Sequence, residues 1–505
     1  MTDVATMRKP VSLVRLCDAA EDFLSRRHYG LFINGQEVPA ASNRAFETKE
    51  PSTGTVLAHL AEGDERDIDR AVRAARLAFE GPWSRWTPYE RQSLLYRAHE
   101  IVGRNFEELA QIETMDMGAP IARMRDGKAA VLKMILFFAA QSTSISGETL
   151  PNGLPGDVTT LSFKTPVGVI GGIIPWNGPL ISQWWLLGAV LASGCTVVLK
   201  PAEDASLSVL RVAELLHEIG LPAGVVNVVT GFGGVAGAAL ARHPNVDRIA
   251  FTGSTTTGRK IIEASAVNIK KLQLELGGKS PDIIFADADL DKAVPGAAMG
   301  VFANSGQVCF AGTRVFVQRP ILEEFCARVT AFAGSIRVGH SLDVETQMGP
   351  LISGRQLDRV MSYIQLGARE GARLVCGGER LGGALADGYF VTPTVFSGVE
   401  NGMRIAQEEI FGPVLSVIPF DTEEEAIVLG NQTEYGLGGA VWTRDISTAL
   451  RVVKGIHAGV MWVNCYGLID PLVGFGGTKF SGYGAKGGRA HLDTYLYNKS
   501  VYINA

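Results

Sequence analysis

Cysteine is scarce in this sequence of 505 residues, and no two of its six cysteines form a C-x-x-C pair. Scattered cysteines favour neither a disulfide framework nor a thiolate metal site, so we expect a reducing, cytoplasmic environment and no metal. An excess of either charge is also lacking, since the formal net charge is only -5. This balance excludes a strongly basic surface for nucleic acid or an anionic membrane and favours a small-molecule ligand.

Segments that would target or span a membrane are lacking as well. The first thirty residues contain neither the apolar run nor the small-residue cleavage site of a signal peptide, and we interpret residues 1–28 as a leader. The stretch from Thr165 to Leu199 has no charge, but Gly168, Pro175 and Pro179 break it into pieces. Such pieces are too short to cross a bilayer, so a strand, a buried helix and a second buried strand explain them better.

What the sequence does contain is an alternation of short β-prone runs and helical runs. In the first half, β-prone runs flank a helical run at 206–219 and lie at 168–174, 196–200, 225–230, 248–253 and 271–276. In the second half, helical runs near 321–334, 354–370, 422–431 and 445–456 alternate with β-prone runs at 313–318, 373–378, 393–399, 412–420 and 459–464. Strands that alternate with helices predict parallel sheets, so the predicted fold class is α/β with two such domains.

The same pattern predicts where the domains begin and end. We assign residues 1–144 and 166–277 to a cofactor-binding α/β domain and residues 278–480 to a second α/β domain. The segments 145–165 and 481–505 alternate polar and apolar residues and belong to neither core. We expect them to form a small β extension whose edges pair between subunits, since an exposed edge invites pairing. A homodimer or homotetramer is therefore expected.

Four loops follow predicted strands, at 175–178, 200–203, 231–234 and 253–256. They are candidates for a cofactor site, because ligands of parallel sheets bind beyond the carboxyl ends of the strands. The loop GFGGVA, with Gly233 in it, matches only the weak pattern G-x-G-x-x-A. Gly253 and Ser254 lie at a strand-to-helix turn, where backbone amides favour a pyrophosphate. In KPAE, Glu203 would accept hydrogen bonds from a ribose 2'-hydroxyl and repel a 2'-phosphate, which favours NAD over NADP.

Cys309 and Glu275 are the candidates for chemistry. A lone cysteine is more often a buried small hydrophobe, but the small residues 304–306 would permit a nest of backbone N–H groups that lowers the pKa of a thiol. In LQLELGG the leucines share one strand face and Glu275 lies on the other, which in isolation indicates a solvent-facing glutamate. The two glycines nevertheless end this strand where sheets build their sites, so we expect Glu275 to activate the thiol or a water.

Eight motifs follow one another along the chain, namely IPWNGPL (174–180), LKPAE (199–203), FTGST (251–255), LELGGKSP (274–281), GQVCFAGTR (306–314), EEIFGPV (408–414), WVN (462–464) and FGGTKFSG (475–482). In this order and spacing they resemble the aldehyde dehydrogenase superfamily. The resemblance covers the chain from about Tyr29 to its end. It implies a cofactor domain, a catalytic domain at 278–480, a β extension used for oligomers, and oxidation of an aldehyde to its acid with NAD.

The resemblance also implies a role for each matching residue. Cys309 matches the nucleophile, Glu275 matches the general base, and Asn177 matches the amide that forms an oxyanion hole with the Cys309 backbone N–H. The resemblance further implies that a dinucleotide binds here. The matching residues in the family contact its adenosine ribose, its pyrophosphate, its nicotinamide ribose or its nicotinamide ring. These cofactor residues are Lys200, Glu203, Gly253, Ser254, Glu409, Phe411, Pro175, Trp176 and Gly233.

Two departures from the family pattern bear on substrate and proton transfer. Gly178 replaces a frequent aromatic residue, and Leu186 stands where a lysine usually follows Trp185, which predicts a roomier tunnel. Lys486 replaces a glutamate of the usual SGxGRELG segment, so any relay through that glutamate is in doubt. A hydrophobic aldehyde, medium-chain, terpenoid or aromatic, is expected because the predicted tunnel residues are mostly apolar: Gly178, Trp185, Val308, Phe310, Ile469, Leu472 and Val473.

Other interpretations stay open from the sequence. A CoA-acylating semialdehyde dehydrogenase generally lacks a glutamate at the position of Glu275, because its thioester must survive until CoA arrives. A cysteine hydrolase without nicotinamide would need a histidine beside the thiol, and His243 and His340 lie outside any matching motif. A non-catalytic descendant would have lost the cysteine or the glutamate, and neither is lost.

Overall fold

The computed structural model describes residues 13–504, so the first part of the predicted leader, residues 1–12, lies outside the described residues, as does Ala505. From residue 13 onward the leader is packed against the protein: it contains a helix that buries Ala20, Phe23 and Leu24. The helices are α1 Asp18–Ser25, α2 Glu65–Glu80, α3 Pro88–Arg104, α4 Phe106–Met117, α5 Ile121–Asp126, α6 Lys128–Ser142, α7 Pro179–Ser193, α8 Leu207–Glu218, α9 Ala238–Arg242, α10 Thr255–Ser265, α11 Leu290–Phe302, α12 Leu322–Ser335, α13 Gly354–Arg369, α14 Arg404–Gln407, α15 Glu423–Asn431, α16 Ile446–Gly455 and α17 Gly488–Asp493.

The strands form two large sheets and smaller ones. They are β1 His28–Tyr29, β2 Leu31–Ile33, β3 Gln36–Val38, β4 Ala45–Lys49, β5 Val56–Ala61, β6 Glu148–Leu150, β7 Val158–Pro166, β8 Val169–Ile174, β9 Thr196–Pro201, β10 Val226–Val228, β11 Arg248–Thr252, β12 Lys271–Glu275, β13 Pro281–Ile284, β14 Arg314–Gln318, β15 Arg373–Cys376, β16 Thr394–Ser397, β17 Val414–Phe420, β18 Tyr435–Gly436, β19 Gly438–Trp442, β20 Val460–Val463, β21 Thr478–Lys479, β22 Gly482–Tyr483 and β23 Leu496–Asn504.

The first large sheet has eight strands in the order β22-β12-β11-β8-β9-β10-β2-β3. Strands β8 to β12 are parallel to one another, whereas β2, β3 and β22 pair antiparallel at the two edges. Between β8 and β11 the strand order reverses, since β9 and β10 lie on one side of β8 and β11 and β12 on the other. A crevice for a ligand opens at such a reversal, beyond the carboxyl ends of the strands.

The second large sheet has seven strands in the order β15-β16-β17-β14-β13-β19-β20, all parallel except β15. The predicted α/β fold class is therefore confirmed, with both sheets where the alternation of strands and helices indicates them. Two central strands, β13 and β19, were not expected from the sequence. Each is short and lies among glycine or proline residues, which weaken the β signal.

The predicted β extension pairs within one chain. Strands β7 and β23 are antiparallel over nine residues each, and β6 adds to β7 to complete a three-stranded sheet. Only the last part of the segment 481–505 joins this sheet, because Gly482–Tyr483 pairs with β12 in the eight-stranded sheet. Pairing between subunits stays a prediction, as do the domain bounds.

Helix α7 shows how the charge-free stretch folds. It begins with Pro179 at its first position and ends before Gly194, which adopts the left-handed conformation typical of a residue that terminates a helix. Nearly all of its residues are buried against α3, α6 and α8, so an apolar surface on every side suits its position. Within residues 13–504, none of the helices combines the length and apolar composition that crossing a lipid bilayer requires.

We expect Phe138→Ala in α6 to destabilise the protein by about 3–5 kcal/mol, because its ring is fully buried against Gly188 of α7 and its loss leaves a cavity. The measurement is the midpoint of thermal unfolding. Leu136→Ala in the same helix is the matched control, since Leu136 is 40% exposed and should change the midpoint little. Equal shifts for both variants would contradict this account of the core.

Candidate active site

The predicted cofactor loops and Glu275 meet at one edge of the eight-stranded sheet. Pro175 and Trp176 follow β8, Glu203 follows β9, Gly233 follows β10, and Gly253 with Ser254 follows β11. Glu275 is the last residue of β12. Because these five strands are parallel, all of these residues lie at the carboxyl edge, where the crevice opens.

Cys309 lies in a loop between the two large sheets, and buried polar side chains hold that loop. Asn304 and Ser305 adopt left-handed backbone angles, with φ of 53° and 57°. The Gln307 side chain donates to the Asn304 carbonyl (3.2 Å) and accepts from the Ile352 backbone N–H (2.9 Å). The Ser305 hydroxyl donates to the Gly349 carbonyl (2.8 Å). These bonds fix the thiol's position, and Gln307 is a positioning residue that the sequence did not reveal.

Asn177 is anchored on the same loop. Its Nδ2 donates to the Gln307 carbonyl at 2.9 Å, and the Asn304 side chain donates to the Asn177 carbonyl at 3.1 Å. The side-chain amide of Asn177 carries two N–H donors. One of them bonds to Gln307, two residues before Cys309, and the other stays available for a ligand. The structure thus brings the predicted oxyanion donor and the predicted nucleophile together.

Glu275 is buried, not solvent-facing, with only 3% of its surface exposed. Neither carboxylate oxygen has a hydrogen-bond partner among residues 13–504. Burial raises the pKa of Glu275 to about 8, and the nearby Lys486 ammonium opposes this rise. The strand pattern in isolation indicated a solvent-facing glutamate, and that interpretation was therefore wrong. A buried carboxyl with a pKa near neutrality has the property that a general base needs.

The expected lowering of the thiol pKa is not found in the protein alone. Burial raises the pKa of Cys309 to about 12, the carboxylates of Glu409 and Glu275 add to the rise, and Lys486 opposes it. The small residues at 304–306 do form a turn with left-handed backbone angles, but desolvation and two like charges outweigh the Phe310 backbone N–H, which favours the thiolate. The sequence could not show this, because Glu409 is one hundred residues away along the chain.

The two glycines after β12 allow Glu409 and Cys309 to lie close to the backbone at this point. A Cβ at Gly277 would overlap the Glu409 carboxylate, and a Cβ at Gly278 would overlap the Cys309 carbonyl oxygen. The Gly278 N–H donates to Glu409 Oε1 at 3.1 Å. Burial raises the pKa of Glu409 to about 7, opposed by that N–H and by Lys279. The buried Lys279, whose ammonium has no hydrogen-bond partner among the described residues, was not singled out from the sequence.

Arg314, which follows Cys309 closely in the sequence, does not face the thiol. It is fully buried and donates to backbone carbonyls of Lys279 (2.9 Å), Leu429 (3.1 Å) and Gly430 (2.8 Å). Its guanidinium therefore holds the glycine-containing turn after β12 against the second sheet.

The cofactor residues form a row of donors and acceptors that fits a dinucleotide. Lys200 Nζ donates to Glu203 Oε2 at 3.1 Å. Burial alone would raise the pKa of Glu203, but the Lys200 ammonium, a backbone N–H and Arg355 together lower it. A Cβ at Gly233 would meet no atom within 4 Å, so the turn is open to a ligand. Ser254 caps α10 through the Thr257 N–H, and the first turn of such a helix presents free backbone amides to an anion.

Trp176 and Phe411 complete the row at the Cys309 end. Their rings meet edge to face, with centroids 5.1 Å apart. Phe411 adopts a left-handed backbone conformation (φ 61°), and Gln356 Nε2 donates to its carbonyl at 2.8 Å. The Arg359 guanidinium donates to the Glu409 carbonyl at 2.6 Å, so α13 holds both residues.

The predicted tunnel residues divide into two groups. Trp185 is buried, and Phe310 packs against Trp462 and Phe475 with ring centroids 5.5 and 5.7 Å apart. Gly178, before α7, and Val308, beside Cys309 in the sequence, are half-buried. By contrast, three residues of the loop after β20 are exposed at the surface: Ile469 (42%), Leu472 (71%) and Val473 (63%). The salt bridge from Lys133 to Asp470 (3.1 Å) fastens that loop to α6.

Comparison with known proteins shows close relatives over nearly the whole chain. A model of the aldehyde dehydrogenase family matches residues 38–501. The mitochondrial aldehyde dehydrogenase of Homo sapiens is 45% identical over 479 residues, 94% of this chain and 91% of that protein. The mitochondrial benzaldehyde dehydrogenase of Antirrhinum majus is 44% identical over 474 residues, 93% and 88% of the two chains. The NAD+ complex of an aldehyde dehydrogenase from Bacillus cereus superposes with a TM-score of 0.95 at 46% identity, covering 98% of this chain and 100% of that one.

We expect Glu409→Gln to speed alkylation of Cys309 in the protein without cofactor by roughly threefold to tenfold, because one negative charge beside the thiol is removed. The measurement is the rate of iodoacetamide incorporation into the Cys309 peptide at fixed pH. Glu408→Gln is the matched control, since the Glu408 carboxylate pairs with Arg404 and Tyr363 instead. An unchanged or slower rate in Glu409→Gln would contradict the electrostatic account.

Proposed function

This chain belongs to the aldehyde dehydrogenase family and oxidises aldehydes to carboxylic acids with NAD+, and we propose that it does so through a thioester on Cys309 that Glu275 helps to hydrolyse. The observation that carries the proposal is the meeting of three groups at one site: the half-buried Cys309 thiol, the buried Glu275 carboxyl, which has no hydrogen-bond partner among residues 13–504, and the Asn177 amide anchored on the cysteine loop. A nucleophile, a base and an oxyanion donor are the parts that acyl chemistry requires.

The first step is attack of the Cys309 sulfur on the aldehyde carbon. The thiol proton is released to water, the carbon–sulfur bond forms, and the carbonyl electron pair moves onto oxygen. Asn177 and the Cys309 backbone N–H then donate hydrogen bonds to that oxyanion. Because the pKa of Cys309 alone is raised to about 12, the step depends on a proton acceptor and on positive charge beside the sulfur.

The second step releases the acid. Bound NAD+ would supply the hydride acceptor, and loss of hydride from the tetrahedral carbon would leave a thioester on Cys309. Glu275 takes a proton from water, the hydroxide adds to the thioester carbon, and the thiolate leaves with the electron pair of the broken carbon–sulfur bond. Glu275 acts as a base only when deprotonated, so with a pKa of about 8 hydrolysis should accelerate as pH rises through that value.

The residues that would hold the dinucleotide follow from the geometry of the carboxyl edge. Lys200 and Glu203 would meet the adenosine ribose, Gly233 would leave room beside it, and Ser254 with Gly253 would meet the pyrophosphate. Glu409, with Phe411, Pro175 and Trp176, would hold the nicotinamide end. Preference for NAD over NADP is proposed from the ionised Glu203 carboxylate, which would repel a 2'-phosphate.

A hydrophobic aldehyde is the proposed substrate. The aromatic cluster of Phe310 with Trp462 and Phe475 supports it, and so does the benzaldehyde dehydrogenase named among the relatives. Gly178 contributes no side chain, so an aromatic or branched substrate has room beside it. A homodimer or homotetramer joined through the three-stranded sheet, in the cytoplasm, stays a prediction.

Hydrolysis is favoured over transfer of the acyl group to CoA because the base, Glu275, is present and buried beside the thiol. A nicotinamide-independent cysteine hydrolase is disfavoured for a related reason. The charged groups that act on the pKa of Cys309 are two carboxylates and a lysine, whereas such hydrolases rely on a histidine partner. Adding CoA and looking for an acyl-CoA product separates the first alternative.

We expect Cys309→Ser to abolish aldehyde oxidation, because serine is not ionised here and cannot replace the thiolate. Glu275→Gln should form the first equivalent of reduced cofactor and then turn over slowly, by roughly 10²- to 10⁴-fold, since it lacks the base for hydrolysis. Burst and steady-state formation of reduced nicotinamide, with NAD and with NADP, measure both. Full activity of Cys309→Ser would refute the proposed mechanism.

We expect kcat/KM for octanal or benzaldehyde to exceed that for acetaldehyde, because only the larger substrates bury apolar surface against Trp185 and Phe310. Phe310→Ala should narrow this preference by lowering kcat/KM for benzaldehyde. Leu472→Ala is the control, since 71% of Leu472 is exposed. A clear preference for acetaldehyde in the unmodified protein would reject the proposed substrate class.

A further inference from the structure

Lys486 enters the active site from the loop between β22 and α17. Its backbone N–H and carbonyl pair with those of Phe475, both at 2.6 Å, which clamps the loop beside β12. Gly476 follows Phe475 in the sequence. A Cβ at Gly476 would lie 3.2 Å from Glu275 Oε1 and 2.8 Å from the Ala485 Cα. The backbone that carries Lys486 therefore runs past the Glu275 carboxyl.

The lysine side chain is anchored on the neighbouring strand. Lys486 Nζ donates to Thr252 Oγ1 at 2.7 Å. Thr252 is the register partner of Glu275 on β11 and β12, and adjacent strands lie about 4.8 Å apart. The anchor thus holds the ammonium beside the Glu275 side chain without a direct ion pair, and leaves two of its three N–H donors free.

A small cavity extends from this point under α7, and Lys486 is its only charged group among the described residues that line it. Polar members of the lining are Ser182, Thr252, Gln273, His491 and Tyr495. The pKa of His491 falls to about 3 through burial, Arg248 and Lys486, so this imidazole is neutral. Leu186 lies in the same lining and supplies no charge.

The other titratable groups near the thiol are negative or neutral. Cys309 is faced by Glu275 and Glu409, both of which raise the pKa of the thiol. Tyr466 is also near, and burial raises the pKa of its phenol, which keeps it protonated. Lys279 counters the rise in the pKa of Glu409, whereas Lys486 counters the rise in the pKa of Cys309. Lys486 is therefore the positively charged residue that acts on both Cys309 and Glu275.

We propose that Lys486 is a positioning cation of this active site: its ammonium, anchored on Thr252, favours the ionised forms of the Cys309 thiol and the Glu275 carboxyl. The inference rests on the proposed function, since it concerns the same nucleophile and base. A single positive charge has a large effect on the pKa values of these groups because they are desolvated. Coulomb interactions are stronger there than in water, since the local dielectric constant is lower. The same desolvation lowers the pKa of Lys486 itself, so the effect holds below that pKa.

Alkylation of Cys309 in the full-length protein without cofactor tests the proposal. The probe is iodoacetamide, and incorporation into the Cys309 peptide is measured by mass spectrometry across neutral and alkaline pH. Lys486→Met should slow alkylation by roughly tenfold at fixed pH and move its pH profile to higher pH, since the thiol loses a favourable charge. Lys486→Arg should retain most of the rate, because the charge remains.

Two further variants separate electrostatics from folding. Thr252→Val keeps the lysine but removes its anchor, with a side chain of similar shape, and should move the pH profile in the same direction by a smaller amount. Lys270→Met is the matched control: Lys270 is also a buried lysine, it precedes β12 at the opposite end from Glu275, and its ammonium donates to the carbonyls of Ala241 and His243. Its loss should leave the pH profile of Cys309 unchanged.

The outcomes decide between the inference and the function on which it rests. If Lys486→Met and Thr252→Val both leave the pH profile of alkylation where it is in the unmodified protein, the inference is overturned while the thioester mechanism stands. If Cys309→Ser still oxidises aldehydes, the proposed function itself fails. A slower rate with an unshifted profile in Lys486→Met, not restored in Lys486→Arg, would indicate a merely structural lysine and would also overturn the inference.

Discussion

The backbone at Gly277 and Gly278 is the constraint on which the active site depends. Here the last parallel strand of the eight-stranded sheet, β12, is followed by the first strand of the seven-stranded sheet, β13, and any Cβ would collide with Glu409 on one side or with the Cys309 carbonyl on the other. Only an approach this close lets residues from β12, from the loop before β14 and from the loop before β17 share one space. Arg314 and Gln307 then hold those loops from behind through hydrogen bonds to backbone atoms.

That close approach has an electrostatic consequence. A thiol and two carboxyls are desolvated together, so each resists ionisation, and the pKa values of Cys309, Glu275 and Glu409 all rise. Reactivity therefore requires compensating positive charge, of which Lys486 is the resident source. A raised pKa keeps the Cys309 thiol neutral until ligands bind. A neutral thiol is less readily oxidised or alkylated than a thiolate, so the nucleophile is protected.

Much of the fold could be predicted because hydrophobic periodicity is a local property. The strands and helices of both α/β sheets lie within a few residues of the predicted bounds, and the cofactor loops lie at strand ends because a parallel sheet leaves its loops nowhere else. The strands β13 and β19 escaped prediction, since four or five residues among glycines and prolines carry too little periodicity. The pairing of β7 with β23 within one chain was also beyond the sequence, because partners more than three hundred residues apart leave no local signal.

The sequence by itself determined which residue types are present and in what order: a cysteine among small residues, a glutamate at the end of a strand, and a lysine in place of a glutamate near the C-terminus. The tertiary structure alone decided their charge states. Ionisation depends on solvent exclusion and on charges brought together from distant segments, and neither quantity is a property of the neighbouring residues in the chain. For this reason Glu275 turned out buried, the pKa of Cys309 was raised instead of lowered, and Lys486 came to lie beside both.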